Sequence, residues 1–188
     1  MINRRPTHKA PGLPQAQGLY NPNNEHDACG VGMVINIKNR PSYEIVSKGL
    51  AMLCNLEHRG AVGADPKAGD GSGLLIQIPH KFLKKKIESE FILPNIGHYA
   101  VGVIFTPKDK NNQKKIKTLV EENCHKEGFD ILGWRLCPTQ TGDLGWSVLP
   151  STPDVFQLFI KKPDDLKTQD DFERRLYILR RCIEESIV

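Results

Sequence analysis

Chemistry is concentrated in Glu25-His26-Asp27-Ala28-Cys29-Gly30-Val31-Gly32, where a polar leader meets an apolar run. A cysteine nucleophile needs thiolate character, access, and a base or positive charge nearby. His26 and the more distant His58 are the histidines a base could be drawn from, and neither falls in a recognisable base motif. Cleavage of the Ala28–Cys29 peptide bond would supply a different base. The freed α-amino group, with an ordinary pKa of about 7.7–8.0, accepts the thiol proton directly or through a water. One residue would then hold both nucleophile and base, the logic of N-terminal nucleophile hydrolases. Ala28 and Gly30 are small and leave room for backbone attack at that bond. The competing reading is a buried cysteine at the start of a strand, a common place for that residue type.

Two other chemistries can be weighed from spacing. His26-x-x-Cys29 and Cys54-x-x-x-His58 offer zinc-like pairs. Cys54, however, sits among Leu50, Leu53 and Leu56 on a helical pattern, so core packing is the expectation and no metal site is assigned. The Gly-rich stretch from Gly60 to Gly73 fits neither phosphate-binding glycine motif, and its Asp65 and Asp70 would repel phosphate. A substrate-enclosing loop suits it better, with Arg59 at its base able to pair bidentately with a carboxylate. The plainer role for Arg59 is a cation at a helix C-terminus, favoured by the helix dipole.

These residues need elements to hold them. The run Val31–Ile37 is β-rich and reads as a buried strand. Ser42 then caps a helix carrying Ile45, Val46, Leu50, Leu53 and Leu56, which ends near His58-Arg59-Gly60 with Gly60 as its stop. Leu74–Ile78 reads as a second strand closed by Pro79, followed by a basic helix around 81–90 and a third strand over 100–105. A helix spans 114–126, with Gly128 past its end; strands follow at 131–136 and 155–160, and a last helix at 170–187. About five strands and four helices alternate along the chain, a pattern that by itself predicts a largely parallel α/β sheet.

Length and composition suit one domain: 188 residues, 39% hydrophobic and 26% charged. A net charge of +4 without a basic stripe or a nucleic-acid motif argues against nucleic-acid partners. Five cysteines, an odd number with no CxxC pair, fit reduced thiols in a cytoplasmic compartment. No secretory signal or membrane-spanning run is present, so no membrane partner is expected. The first acidic residue is Glu25, which leaves an organellar stroma open. Residues 1–24, rich in Pro, Asn and Gln, read either as a disordered tail or as a pro-segment.

Asp27–Gly32, Glu57–Asp65 and Gly69–Gly73, taken in order, resemble the N-terminal class II glutamine amidotransferase domain of the glutamate synthase large subunit. Gly18-Leu19-Tyr20 with Asn21-Pro22 is similar to the pro-segment of that family, and Tyr99–Gly102 and Leu132–Arg135 look like its later landmarks. The resemblance implies an α+β fold, a four-layer αββα sandwich with mostly antiparallel sheets, which replaces the parallel expectation. It implies a leader over 1–28, removed autocatalytically, and a catalytic domain beginning at Cys29. Cys29 matches the nucleophile, Arg59 and Gly60 the glutamine site, and His58, Asp65 and Asp70 the support of the site loop.

The implied reaction is hydrolysis of L-glutamine to glutamate and ammonia through a γ-glutamyl thioester. The ammonia is then used with 2-oxoglutarate in a flavin domain, so FMN, an iron–sulfur cluster and an electron donor (a subunit or ferredoxin) are implied for the full-length enzyme. None is expected within these residues. The family places a second substrate-binding Arg, an Asn-Gly oxyanion hole and an Asp beyond the point corresponding to Val188, and no His-Asn-Gly-Glu block occurs here. Loss of even one oxyanion donor costs about 10²–10³ in rate, so these 188 residues alone are expected to be poorly active. The alternatives are a non-catalytic interaction module and another class II amidotransferase, of the amidophosphoribosyltransferase or asparagine synthetase type.

Overall fold

The computed structural model describes residues 15–18, 30–56, 64–69 and 71–187. The chain divides into two compact units, one of Met1–Val62 with Gly69–Leu74 and one of Gly63–Ala68 with Leu75–Val188.

In the first unit the main element is helix α1, Tyr43–Asn55. It ends with Leu56 as C-cap, three residues before the expected boundary at Arg59. Ser42 occupies the N-cap position with extended backbone, but its side chain makes no capping hydrogen bond. Only Gly49 of this helix is buried. A Cβ there would lie 2.9 Å from Leu74 Cδ1, so the glycine admits a close approach of the 71–74 segment. Cys54 is exposed, which corrects its assignment to a core. On a helix with one buried residue, an apolar period alone does not create a buried face.

The run 31–37 is likewise not a buried strand. No ladder is formed there, and Val31 and Ile37 are 92% and 98% exposed. Residues 74–78 also lack strand structure, with Leu75 99% exposed. Both runs have β-favouring residues, but β propensity reports packing against neighbouring strands, and neither run pairs with one among the described residues.

The second unit is built on a three-stranded antiparallel sheet. Strands β1 (Tyr99–Thr106), β2 (Ile131–Leu136) and β3 (Asp154–Lys161) lie in the order β1-β3-β2. Because β3 is antiparallel to both neighbours, β1 and β2 point the same way without touching, as in a split β-α-β unit. Helix α2 (His80–Ile87) covers one face, where Leu83 and Ile87 pack with Leu93, Tyr99 and Phe159. Helices α3 (Lys110–Lys126) and α4 (Gln169–Ile187) cover the other, around Val120, Cys124, Phe129, Leu158, Ile160, Phe172 and Leu179. The alternation Leu158, Phe159, Ile160 sends successive side chains of β3 to opposite faces and so feeds both cores.

Local chemistry explains the boundaries. Asp109 caps α3 by accepting from the Asn112 N–H at 2.8 Å, and Gly128, at φ +77°, follows the helix in the left-handed region. Thr168 Oγ1 accepts from the Asp171 N–H at 3.0 Å and donates to the Asp171 carboxylate at 2.6 Å at the start of α4. A register shift between Ile131 and Gly133 brings the bare backbone of Gly133 against the ring of Phe91, which packs edge-on to Phe159 at 5.2 Å.

Candidate active site

Of the residues singled out for chemistry, Cys29, His58, Arg59, Gly60 and Asp70 lie outside the described residues. The chain on either side of the two principal motifs is described. Gly30, the residue after Cys29, lies against Leu56, the residue before Glu57-His58-Arg59. A Cβ on Gly30 would lie 2.9 Å from Leu56 Cδ2 and 3.3 Å from Cδ1. Gly32 repeats the approach one step on, against Met52. The Gly-x-Gly after Cys29 thus serves close packing: two bare backbones run along the C-terminal half of α1 where any side chain would push the segment away.

Asp65 is the one candidate within the described residues, and it is 5% exposed. Its carboxylate Oδ2 accepts from the Ser147 N–H at 2.9 Å and from the Ser147 hydroxyl at 2.8 Å. Oδ1 accepts from the Lys67 N–H at 3.1 Å, while the Asp65 carbonyl accepts from the Ala68 N–H at 3.0 Å. Asp65-Pro66-Lys67-Ala68 is therefore a β-turn, with Pro66 at the position whose φ proline presets and Asp65 bonding its own turn. The backbone N–H of Ser147 holds the Asp65 carboxyl below the usual carboxylate range, against the opposing effect of burial; the Ser147 hydroxyl and Lys67 add to the lowering.

Ser147 and Gly145 escape sequence reasoning, because a partner 82 positions away leaves no local signal. Gly145 is buried, and a Cβ on it would lie 2.6 Å from Asp65 Cγ. A Gly near a Trp-Ser in a loop reads locally as turn chemistry and nothing more.

The described cysteines differ in character. Cys124 is buried in the core, and burial pushes its thiol up to about 11, the wrong direction for a nucleophile. Cys54, Cys124, Cys137 and Cys182 are all free thiols. Among the described residues no three His, Cys, Asp or Glu side chains come together as a metal site. The open surface grooves along α3, lined by Lys114 and Thr118, include none of the candidate residues. No described helix is long and apolar enough to cross a membrane.

Residues 29–188 match the family of class-II glutamine amidotransferases, and the chain belongs to that family.

Its relatives are glutamate synthases. The chain is 43% identical to the glutamate synthase [NADPH] large chain of Bacillus subtilis, covering 92% of this chain and 11% of that one. It is 38% identical to ferredoxin-dependent glutamate synthase 1 of Arabidopsis thaliana, over 93% of this chain and 11% of that one. Against glutamate synthase [NADH] of Schizosaccharomyces pombe the figures are 37%, 92% and 8%. The chain thus spans about a tenth of the length of these relatives.

Proposed function

We propose that this chain carries the nucleophile-bearing part of the glutaminase site of a glutamate synthase, with Cys29 as nucleophile. The observation that carries this reading is the packing of Gly30 on Leu56. Gly30 and Leu56 stand in the sequence next to Cys29 and to the Glu57-His58-Arg59 block. The family match beginning at Cys29, and not before it, supports a leader over residues 1–28 that is cut away between Ala28 and Cys29.

In this reading the α-amino group freed at Cys29 takes the thiol proton. The thiolate attacks the side-chain amide carbon of L-glutamine, and the C–N bond breaks as ammonia leaves with a proton from the ammonium. Water then attacks the γ-glutamyl thioester and breaks the C–S bond, releasing glutamate while a proton of that water goes to the cysteine sulfur. Arg59 and Gly60 line the glutamine site, and His58, Asp65 and Asp70 support its loop. The resemblance places the oxyanion donors, the use of ammonia with 2-oxoglutarate, FMN, an iron–sulfur cluster and the electron donor beyond these residues. The 188 residues alone are accordingly expected to hydrolyse glutamine poorly.

The exposed apolar runs 31–37 and 74–78 supply candidate strands for the second sheet of a four-layer αββα sandwich. Free cysteines in every described position fit a reducing compartment, cytoplasmic or stromal.

The test is the intact mass and glutamine turnover of the full-length protein. Loss of residues 1–28, with hydrolysis abolished by Cys29→Ser, is the expected result. An active, glutamine-hydrolysing protein that keeps residues 1–28 sinks the processing step, and activity that survives Cys29→Ser sinks the nucleophile.

A further inference from the structure

We propose that Lys117 of α3 is a lysine acylation site, taking its acyl group from a small acyl phosphate held in the groove that Lys110 and Lys114 line. The site uses none of the glutaminase residues and does not rest on that reading.

Lys117 holds an unusual place for an amine. Its Nζ lies 3.8 Å from the centre of the Phe156 ring and 5.1 Å from that of Trp134. Ring faces attract the ammonium, but they are poor hydrogen-bond acceptors in place of the water they displace. Glu121, one turn along the helix, is already engaged, accepting from Trp134 Nε1 at 2.8 Å. Among the described residues the ion pairs do not include Lys117. Burial holds its amine below the usual lysine range, opposed by the charge of Glu121 and aided by that of Lys110. The free amine is the nucleophile, so this is the direction that acyl transfer needs.

The lysines around it supply the second part. A groove of about 360 Å³ runs along α3 between Lys110, Gln113, Lys114, Lys117, Thr118 and Glu121. Lys110 reaches Asp154 at 3.6 Å and donates to Gln113 Oε1 at 3.2 Å on one rim. Lys114 is exposed, and its ammonium has no ionic or hydrogen-bonding partner among the described residues. Helix stability does not explain this placing. Lys110, Lys114, Lys115 and Lys117 fill the N-terminal half of α3 with Glu121 and Glu122 behind them, the order that the helix dipole and i,i+4 pairing both disfavour. A phosphate dianion in the groove relieves that crowding and brings its acyl carbon to Lys117.

In the transfer the Lys117 ammonium first gives a proton to water. The amine nitrogen attacks the carbonyl carbon, and the C–O bond to phosphorus-bound oxygen breaks. Phosphate leaves with the bonding pair and takes the second proton from nitrogen, departing as hydrogen phosphate. A neutral amide then replaces the cation against Phe156 and Trp134.

The experiment treats the full-length protein with acetyl phosphate and follows acetylation of each lysine by peptide mass analysis. Lys115 on the same helix and Lys84 on α2, both exposed, are the internal standards. Lys117 should be acetylated about five times faster than either, through more free amine and a higher local concentration of reagent. Inorganic phosphate, at matched ionic strength, should remove most of that excess and leave Lys84 unchanged. Lys114→Gln alters an exposed side chain and should slow Lys117 about threefold with acetyl phosphate, by weakening the local attraction for the anion. With acetic anhydride, which carries no phosphate, the same variant should react at Lys117 as wild type does.

Acetylation of Lys117 by acetyl phosphate no faster than that of Lys115 overturns the proposal. A Lys117 preference that is the same with both reagents, and indifferent to phosphate and to Lys114→Gln, also overturns it, since that marks a reactive amine without an anion site beside it.

Discussion

Gly32 lies so close to Met52 that a Cβ on it would sit 3.0 Å from the thioether methyl and 3.2 Å from Cγ, with Sδ nearer still. This contact runs the residues just after Cys29 along α1. Gly32→Ala should therefore destabilise the chain, by about 1 kcal/mol, the lower end of the cost of overpacking. The cost is low because Met is flexible enough to yield part of the space. Met52→Ala in the same chain removes the obstacle, so a double-mutant cycle by urea unfolding should show the two changes coupled. Strict additivity would mean that the contact is not what requires glycine there.

Cys124 gives a chemical readout of the core. Its thiol is pushed up to about 11, first by burial and then by the nearby charge of Glu121. At pH 8 only about one molecule in a thousand holds that thiolate, and the nucleophile is the thiolate. Brief treatment of the native chain with N-ethylmaleimide, followed by peptide mass analysis, should modify exposed Cys54 and spare Cys124. Denaturant should release Cys124 to the reagent. Modification of Cys124 at the same rate as Cys54 before unfolding would contradict the buried core around Val120 and Phe129.

How much of this was legible in the sequence depended on how local the cause is. Helices α3 and α4 announced themselves by their apolar period, and β1, β2 and β3 by β-rich runs between breakers; each boundary fell within a few residues. Strand direction was not legible. Alternation predicts a largely parallel sheet, and the sheet is antiparallel: β1 and β2 run the same way, but β3 inserts between them and makes both pairings antiparallel. Runs 31–37 and 74–78 had the composition of strands and found no ladder, because a strand is a property of a pair. At the site, the family motifs around Cys29 and Arg59 were legible as words. The fastening of Asp65 by Ser147 was not, since each half of that contact looks like ordinary turn chemistry alone.

Gly133 carries a stricter demand than Gly32. A Cβ there would lie 2.5 Å from Phe91 Cδ1 and 3.1 Å from Cζ, and the ring is edge-packed on fully buried Phe159. The ring cannot withdraw without giving up that packing, and the backbone is held by the shifted register of β2 against β3. Gly133→Ala should cost about 2–3 kcal/mol, toward the upper end for overpacking. Pairing it with Phe91→Leu, which trims the ring, should recover part of the loss in thermal melts. An unchanged melting temperature in Gly133→Ala alone would show that the bulge relaxes freely.

The Asp65 carboxylate should make acid stability depend on the loop it fastens. Its folded pKa lies below the usual value, chiefly through the Ser147 backbone N–H. A carboxyl whose pKa is depressed by folding contributes stability above its unfolded pKa of about 3.9 and loses it as pH falls through the lower folded value. The melting temperature of Asp65→Asn should therefore lie below that of wild type at pH 6–7, because the amide must turn an N–H₂ toward one of the Ser147 or Lys67 donors. The gap should hold steady down to about pH 5 and narrow below about pH 4, as the carboxyl of the unfolded chain takes up a proton that the folded carboxylate still refuses. Ser147→Ala removes one donor but keeps the ionised group buried, so its melting temperature should also fall, with the wild-type advantage again shrinking in acid. A gap between wild type and Asp65→Asn that stays constant from pH 7 to pH 3 would mean that the carboxylate's charge is not what holds the loop.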